Sequence, residues 1–184
     1  MSIGLRPVLF LAAIVALIVF RQIGMNYELH HFQPFTALFF ALAALKSARW
    51  LLIPALGYLL STLWTEGGLS LWILSPLLAY GLIAIWGKCF SNKSSIPTLL
   101  GASLGGAGIF YLVTNAMSWL ASPVYAKNLS GMAQALWTGT PGFPPTWVFF
   151  RNDAVATILF TAIIIVLNRM TFPNEEEQAV VSVA

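Results

Sequence analysis

The chain has 184 residues, of which 59% are hydrophobic and 8% charged, and its mean hydropathy is +0.83. Soluble domains carry about 25% charged residues, so this composition excludes an ordinary soluble protein and predicts an integral membrane protein. The net charge of +3 does not indicate a nucleic-acid partner, because in a membrane protein the placement of basic residues sets orientation. The single Cys89 excludes an internal disulfide and a metal site built from several cysteines.

Six apolar segments follow one another along the chain, and we predict that each forms a transmembrane helix of an all-α bundle. The first lacks a cleavage pattern after it, which favours a retained helix over a signal peptide. Lys46 and Arg49 interrupt the second long apolar run. Each charge would cost about 2.5 to 3.5 kcal/mol at the bilayer centre, so we expect two short helices there. The predicted helices cover approximately residues 5–22, 34–46, 49–63, 69–87, 96–121 and 152–169.

Six helices would place both chain ends on one side of the membrane. That side collects six of the nine basic residues, so the positive-inside rule predicts cytoplasmic termini in a bacterial inner membrane. The two longest connections, 21–34 and 121–152, then face outward, and connections of this length usually have a task. We expect a single domain over residues 1–170 and a loose cytoplasmic tail over 171–184.

The fifth segment combines a glycine pattern with a polar stripe. Gly101 and Gly105 form a GxxxG pair, which favours close approach of a neighbouring helix. Tyr111, Asn115 and Trp119 recur every fourth residue and therefore share one helix face. An Asn within a span must point at another helix or at a cavity, and the pattern leaves both open.

The stretch FFRNDAVATILF places three polar residues at the start of the sixth segment. Asn152 can cap this helix, and Asp153 can favour its positive end. Arg151 gains nothing from the helix dipole, because a basic residue is not favoured at the positive end of a helix. It either reaches towards the headgroups or presents a fixed cation that binds a carboxylate or phosphate.

Sites for catalysis or metal are not indicated. His30 and His31 are adjacent and point apart on a helix, and only Glu28 lies near them, so we predict no metal site. The nucleophile-elbow, zinc-protease and phosphate-loop motifs are all missing from the sequence. We therefore expect neither an enzyme nor a bound cofactor, and any uphill transport would take its energy from an ion gradient or another subunit.

Four stretches of the chain carry a resemblance to a known family. FRQIGMNYELHHFQPFTALFFALAAL, IFYLVTNAMSWL, VYAKNLSGMAQAL and FFRNDAVATILFT resemble a bacterial domain-of-unknown-function family described as candidate transport proteins. That family is similar in architecture to the substrate-binding S components of energy-coupling factor (ECF) vitamin transporters. The resemblance implies a six-helix bundle with cytoplasmic termini and a micronutrient pocket on its outer side.

The resemblance also implies site residues. In this chain, the resemblance implies a pocket lined by the segment after the first helix, the polar stripe of the fifth helix, the loop that follows that helix and the start of the sixth helix. Ala12 and Ala16 have the spacing by which S components dock on a membrane coupling subunit. The expected substrate-binding residues are His31, Gln33, Tyr111, Asn115, Trp119, Tyr125, Asn128, Phe150, Arg151 and Asn152.

These observations predict a membrane transport protein that captures a small micronutrient-type solute. Its expected partners are the solute, the lipid bilayer, and a coupling subunit with ATPase subunits. Arg151 would anchor an anionic group and Asn115 would orient the solute. The alternative is a structural or assembly membrane protein whose polar helix face contacts a partner, and an enclosed polar pocket would distinguish the two.

Overall fold

A computed structural model describes residues 5–26, 30–66 and 71–172. Within these ranges the chain forms seven α-helices and no strands, and two short 3₁₀ turns, Ala48–Leu51 and Leu71–Ile73, precede the third and fourth helices. The all-α prediction is therefore confirmed for the described part of the chain. The helices are α1 Leu5–Asn26, α2 Phe35–Leu45, α3 Leu52–Glu66, α4 Leu74–Gly87, α5 Ile96–Ala121, α6 Leu129–Leu136 and α7 Thr146–Thr171.

Helix α2 is the centre of the fold. Its sequence FTALFFALAAL is apolar nearly all round, and all of its residues are buried, as expected for a core helix. It packs against α3, α4, α5 and α7. The Tyr80 ring on α4 stacks on Phe39 of α2 at 4.6 Å and on Phe110 of α5 at 5.2 Å, joining three helices in one aromatic core.

Helix α7 begins earlier than the sequence predicts. Its first residue is Thr146 and its N-cap is Pro145, with no side-chain cap hydrogen bond. The prediction that Asn152 caps this helix and Asp153 favours its positive end is therefore wrong, because both lie well inside it. Proline suits a helix start, since its fixed φ fits and its missing N–H would be unpaired there anyway.

Helix α6 was not predicted at all. Within the long connection after α5, the Asn128 side chain accepts a hydrogen bond from the Gly131 N–H at 2.9 Å and caps this eight-residue helix. The tail from residue 173 onward lies outside the described residues.

Among the residues that the structure describes, two helices are long and apolar enough to cross a membrane. These are α5 and α7, with 26 residues each and mean hydropathies of 1.6 and 1.9, while α2 and α4 are apolar but shorter. Length and composition thus support two spans, and the finer prediction of six spans is not confirmed.

The glycines of α5 divide between packing and open surface. A Cβ atom added at Gly105 would lie 3.1 Å from Trp86 Nε1, and one at Gly106 would lie 3.4 Å from the Ile83 side chain. Both contacts are with α4. Gly101 and Gly108 have no such neighbour within 4 Å, so one member of the predicted GxxxG pair, Gly105, meets a neighbouring helix here.

Candidate functional site

A two-lobed cavity lies where α5, α7 and two connecting segments meet. The larger lobe has a volume of about 470 Å³ and the smaller about 350 Å³, and each is within the range of small-molecule pockets, about 300 to 1,000 Å³. The lobes adjoin, because both are lined by His31, Phe110, Phe143, Pro144 and Phe149.

The smaller lobe is built on the polar stripe of α5. Tyr111, Thr114, Asn115 and Ser118 line it, together with Tyr125 from the following loop. The Asn115 amide donates to the Tyr111 carbonyl oxygen at 2.7 Å and the Thr114 hydroxyl to the Phe110 carbonyl oxygen at 2.8 Å. These two donors are satisfied within their own helix. The amide oxygen of Asn115 receives no hydrogen bond from the described residues and remains an acceptor for a ligand.

The segment between α6 and α7 covers part of this lobe. Gly139, Thr140, Phe143 and Pro144 line it, and the Tyr125 and Thr140 hydroxyls share a hydrogen bond of 3.0 Å. Gly139 has a φ of +73°, which glycine adopts without strain. This turn folds the chain back over the cavity.

A buried carboxyl group also lines the smaller lobe. Asp153 is 2% exposed, and its two carboxyl oxygens lie 3.1 and 3.3 Å from the Thr36 hydroxyl, which donates to them. The described residues include no basic side chain in ion-pair contact with it. A carboxylate offers about four acceptor positions. A single hydroxyl therefore leaves most of them unused.

The larger lobe carries a guanidinium group instead. Arg21 donates to the Ser61 hydroxyl at 2.7 Å and more weakly to the Thr62 hydroxyl at 3.4 Å. Its Cζ atom lies 5.6 and 5.2 Å from the ring centroids of Phe35 and Tyr58, a cation–π arrangement. These contacts hold Arg21 at the lobe and do not neutralise its charge.

Besides Arg21, the larger lobe is lined by the buried tyrosine Tyr80. Tyr80 is 1% exposed and lines the lobe. Within the described residues its hydroxyl has no hydrogen-bond partner. A buried hydroxyl without a partner costs about 1 to 3 kcal/mol. A ligand in the lobe could remove this cost.

His31 lies between the two lobes in an unusual backbone conformation. Its φ is +57°, the left-handed region that non-glycine residues rarely adopt. Its imidazole packs against Phe149 with ring centroids 5.1 Å apart. Part of the ring surface is open to the cavity, yet burial, followed by the charges of Arg21 and His30, lowers its pKa from 6.5 to about 4. The imidazole is therefore neutral at pH 7.

The structure brings six of the ten predicted site residues to the cavity. The smaller lobe receives Tyr111, Asn115, Tyr125 and Phe150, the larger receives Gln33, and His31 lines both.

Four predicted residues lie outside the cavity lining. The Trp119 indole donates to the Ala126 carbonyl oxygen at 2.9 Å and braces the loop after α5. Asn128 caps α6. Arg151 is exposed, lies 5.6 Å from the Trp147 ring centroid and donates to the Asn152 side chain. The Asn152 amide donates to the His30 carbonyl oxygen at 3.0 Å, which ties α7 to the segment that carries His31.

The sequence interpretation missed three chemically important lining residues. The sequence interpretation placed Arg21 at the start of the connection 21–34, gave Asp153 only a helix-end role, and did not single out Tyr80. Arg21 and Asp153 interrupt otherwise apolar helices. In a chain predicted to cross a membrane, an ionisable residue within an apolar helix is a functional candidate, and that signal could have identified both.

Two further predictions concern docking and metal. Ala12 and Ala16 are both exposed on α1, so a second helix could reach them. The described residues hold no group of three His, Cys, Asp or Glu side chains arranged to bind a metal ion.

The chain belongs to a family of unknown function, DUF6580, which matches residues 1–177. No curated protein and no solved structure matches it.

Proposed function

We propose that this protein is a multi-pass membrane protein that captures a small solute in the two-lobed cavity for transport across the bilayer. The observation that carries the proposal is a cavity lined by aromatic rings and a few polar groups and partly covered by a connecting segment. Ligand sites have this composition, since apolar walls supply burial and few polar groups supply orientation. No covalent chemistry is required of the lining.

Surface composition supports a membrane setting. Large apolar side chains are exposed along α1, α3, α4, α5 and α7, and extended apolar surface of this kind marks a contact with lipid or with another protein. In the proposed arrangement these surfaces face lipid. Six of the nine basic residues lie at or beside the helix ends opposite those that line the cavity. By the positive-inside rule, the proposal puts the termini in the bacterial cytoplasm and the cavity outside.

The sequence resemblance to a family similar to ECF S components is the basis on which we propose a division of labour. This chain would bind the solute, and other chains would supply a membrane coupling subunit and ATP hydrolysis. The exposed Ala12 and Ala16 would form part of the docking surface on α1, where small side chains allow close helix approach.

Affinity purification from native membranes in mild detergent tests the proposal. Mass spectrometry of the co-purified subunits and of small molecules released on denaturation should recover a membrane subunit with ATPases and a stoichiometric metabolite. Asn115→Ala should reduce the metabolite, because it removes an acceptor from the smaller lobe. Leu112→Ala is the matched control on the same helix, since Leu112 is 55% exposed and lies off the cavity.

Two results would oppose the proposal. Recovery of other membrane proteins without any bound metabolite would favour the alternative, a structural or assembly protein whose polar α5 face contacts a partner. Equal metabolite recovery from both variants would show that the metabolite lies elsewhere than in the smaller lobe.

A further inference from the structure

We infer that the ligand of this cavity is bipolar: a small molecule with an acidic group for Arg21, a cationic amine-type group for Asp153, and a flat apolar body between them. The inference rests on the proposed function, because it assumes that the cavity receives a solute. It depends on a basic and an acidic side chain that line adjoining lobes, Arg21 in the larger and Asp153 in the smaller.

The two groups are held by consecutive residues of α2. Phe35 packs its ring under the Arg21 guanidinium, with 5.6 Å from Cζ to the ring centroid. Thr36 donates its hydroxyl to Asp153. Phe35 and Thr36 are both 0% exposed at the start of the core helix, so their positions are fixed by packing. The first turn of α2 therefore fixes a guanidinium group in one lobe and a carboxyl group in the other.

Neither group has an oppositely charged partner among the side chains that the structure describes. Arg21 contacts hydroxyls and aromatic rings, and Asp153 contacts one hydroxyl. A guanidinium group or a carboxyl group that is removed from water is stabilised when it pairs with a group of opposite charge. A ligand with one sign of charge would pair with only one of the two.

The cavity wall shared by the two lobes is aromatic, which favours a ligand with a flat central part. Phe110, Phe143 and Phe149 line both lobes, and aromatic rings favour stacked or edge-on contact with another flat group. The unpartnered Tyr80 hydroxyl in the larger lobe adds one hydrogen bond on the Arg21 side. Together these features indicate a zwitterion with an aromatic or heteroaromatic body.

Matched probes separate the contributions of the two charges. The full-length protein in nanodiscs is titrated with two zwitterions, phenylalanine and 4-(aminomethyl)benzoate, which differ in charge separation. Their single-charge analogues are phenethylamine, 3-phenylpropionate, benzylamine and 4-methylbenzoate. At least one zwitterion should bind about 10- to 100-fold more tightly than either of its analogues, because the zwitterion has one more charged group that can form a hydrogen bond in the cavity.

Variants give a result that misfolding cannot imitate. Arg21→Gln should weaken the bound zwitterion about 10- to 100-fold but change its amine analogue less than about 3-fold, and Asp153→Asn should spare the acid analogue instead. A folding defect would weaken all probes equally. Arg151→Gln is the control for a lost Arg charge, since Arg151 is exposed outside the lining, and it should change nothing.

Failure of this inference and failure of the proposed function give different results. If single-charge analogues bind as well as the zwitterions, or if a co-purified metabolite carries one sign of charge only, the inference is overturned while solute capture stands. A co-purified bipolar metabolite that is lost in both the Arg21 and Asp153 variants would support it. If no probe binds and no metabolite co-purifies, both proposals fail.

Discussion

A close crossing of α2 and α4 gives a prediction about the central packing. A Cβ atom added at Gly87 would lie 2.7 Å from the Phe40 carbonyl oxygen and 2.9 Å from the Ala43 Cβ atom. Both neighbours belong to the buried core helix, and neither is the end of a flexible side chain. Gly87→Ala therefore requires the two helices to separate.

The size of the effect follows from two opposing terms. Overpacking a close contact costs about 1 to 3 kcal/mol, whereas Ala is favoured over Gly in a helix interior by up to about 1 kcal/mol. Gly87 is the last residue of α4, so the helix-propensity gain is small there. We expect Gly87→Ala to lower the free energy of unfolding by about 1 to 3 kcal/mol.

Gly81 provides a control on the same helix. It is exposed, and an added Cβ atom would meet no atom within 4 Å, so Gly81→Ala should leave stability unchanged or raise it slightly. Denaturant unfolding of the purified protein in detergent, followed by tryptophan fluorescence, compares the two variants. Equal stability of Gly87→Ala and Gly81→Ala would refute the described crossing of α2 and α4.

Three further changes test the site. Thr36→Val removes the hydroxyl that donates to Asp153 and should cost about 1 to 3 kcal/mol in the same unfolding assay, because the buried carboxyl group loses its partner, whereas Thr65→Val removes a hydroxyl bonded only to its own helix and should cost less. The pKa of His31 is lower in the folded state, so the unfolded chain takes up the proton first and thermal stability should fall as the pH drops from 6.5 towards 4. His31→Asn, which tolerates the positive φ, should flatten that decline. Arg151→Ala should leave ligand affinity within about 2-fold, because surface charge pairs contribute about 0 to 1 kcal/mol.

Each of these expectations has a contradicting result. A Thr36→Val protein as stable as Thr65→Val would mean that the Asp153 contact contributes little to folding. An unchanged pH profile in His31→Asn would assign the decline to another group. A strong loss of affinity in Arg151→Ala would restore the sequence interpretation, in which Arg151 anchors the solute.

Local patterns in the sequence identified much of the helical framework. The bounds of α5 agree with the prediction because Ser95 caps it with a side-chain hydrogen bond to the Thr98 N–H and Pro97 follows in the first turn, both of which are readable signals. The predicted start of α7 is wrong because Asn152 is a residue type that commonly caps helices, whereas here its side-chain amide donates to the His30 carbonyl oxygen. That contact joins residues 122 positions apart, so no local pattern contains it.

The candidate site could be predicted only in part for the same reason. The α5 stripe shares one helix face, and its period indicates which side chains lie together. Arg21 is positioned by Phe35, and Asp153 is positioned by Thr36. Thr36 and Asp153 are 117 positions apart in the sequence. Arg151 and Arg21 are the same residue type, and only the tertiary arrangement decides which one reaches the cavity.

Native mass spectrometry tests the central claim, that the cavity holds a small solute, most directly. Ser118→Trp places a large side chain in the smaller lobe, whereas Leu112→Trp places it on the outer face of the same helix. The account predicts a bound small molecule on the wild-type protein and on Leu112→Trp, and none on Ser118→Trp. A wild-type protein without a bound molecule, or equal occupancy in Ser118→Trp, would contradict it.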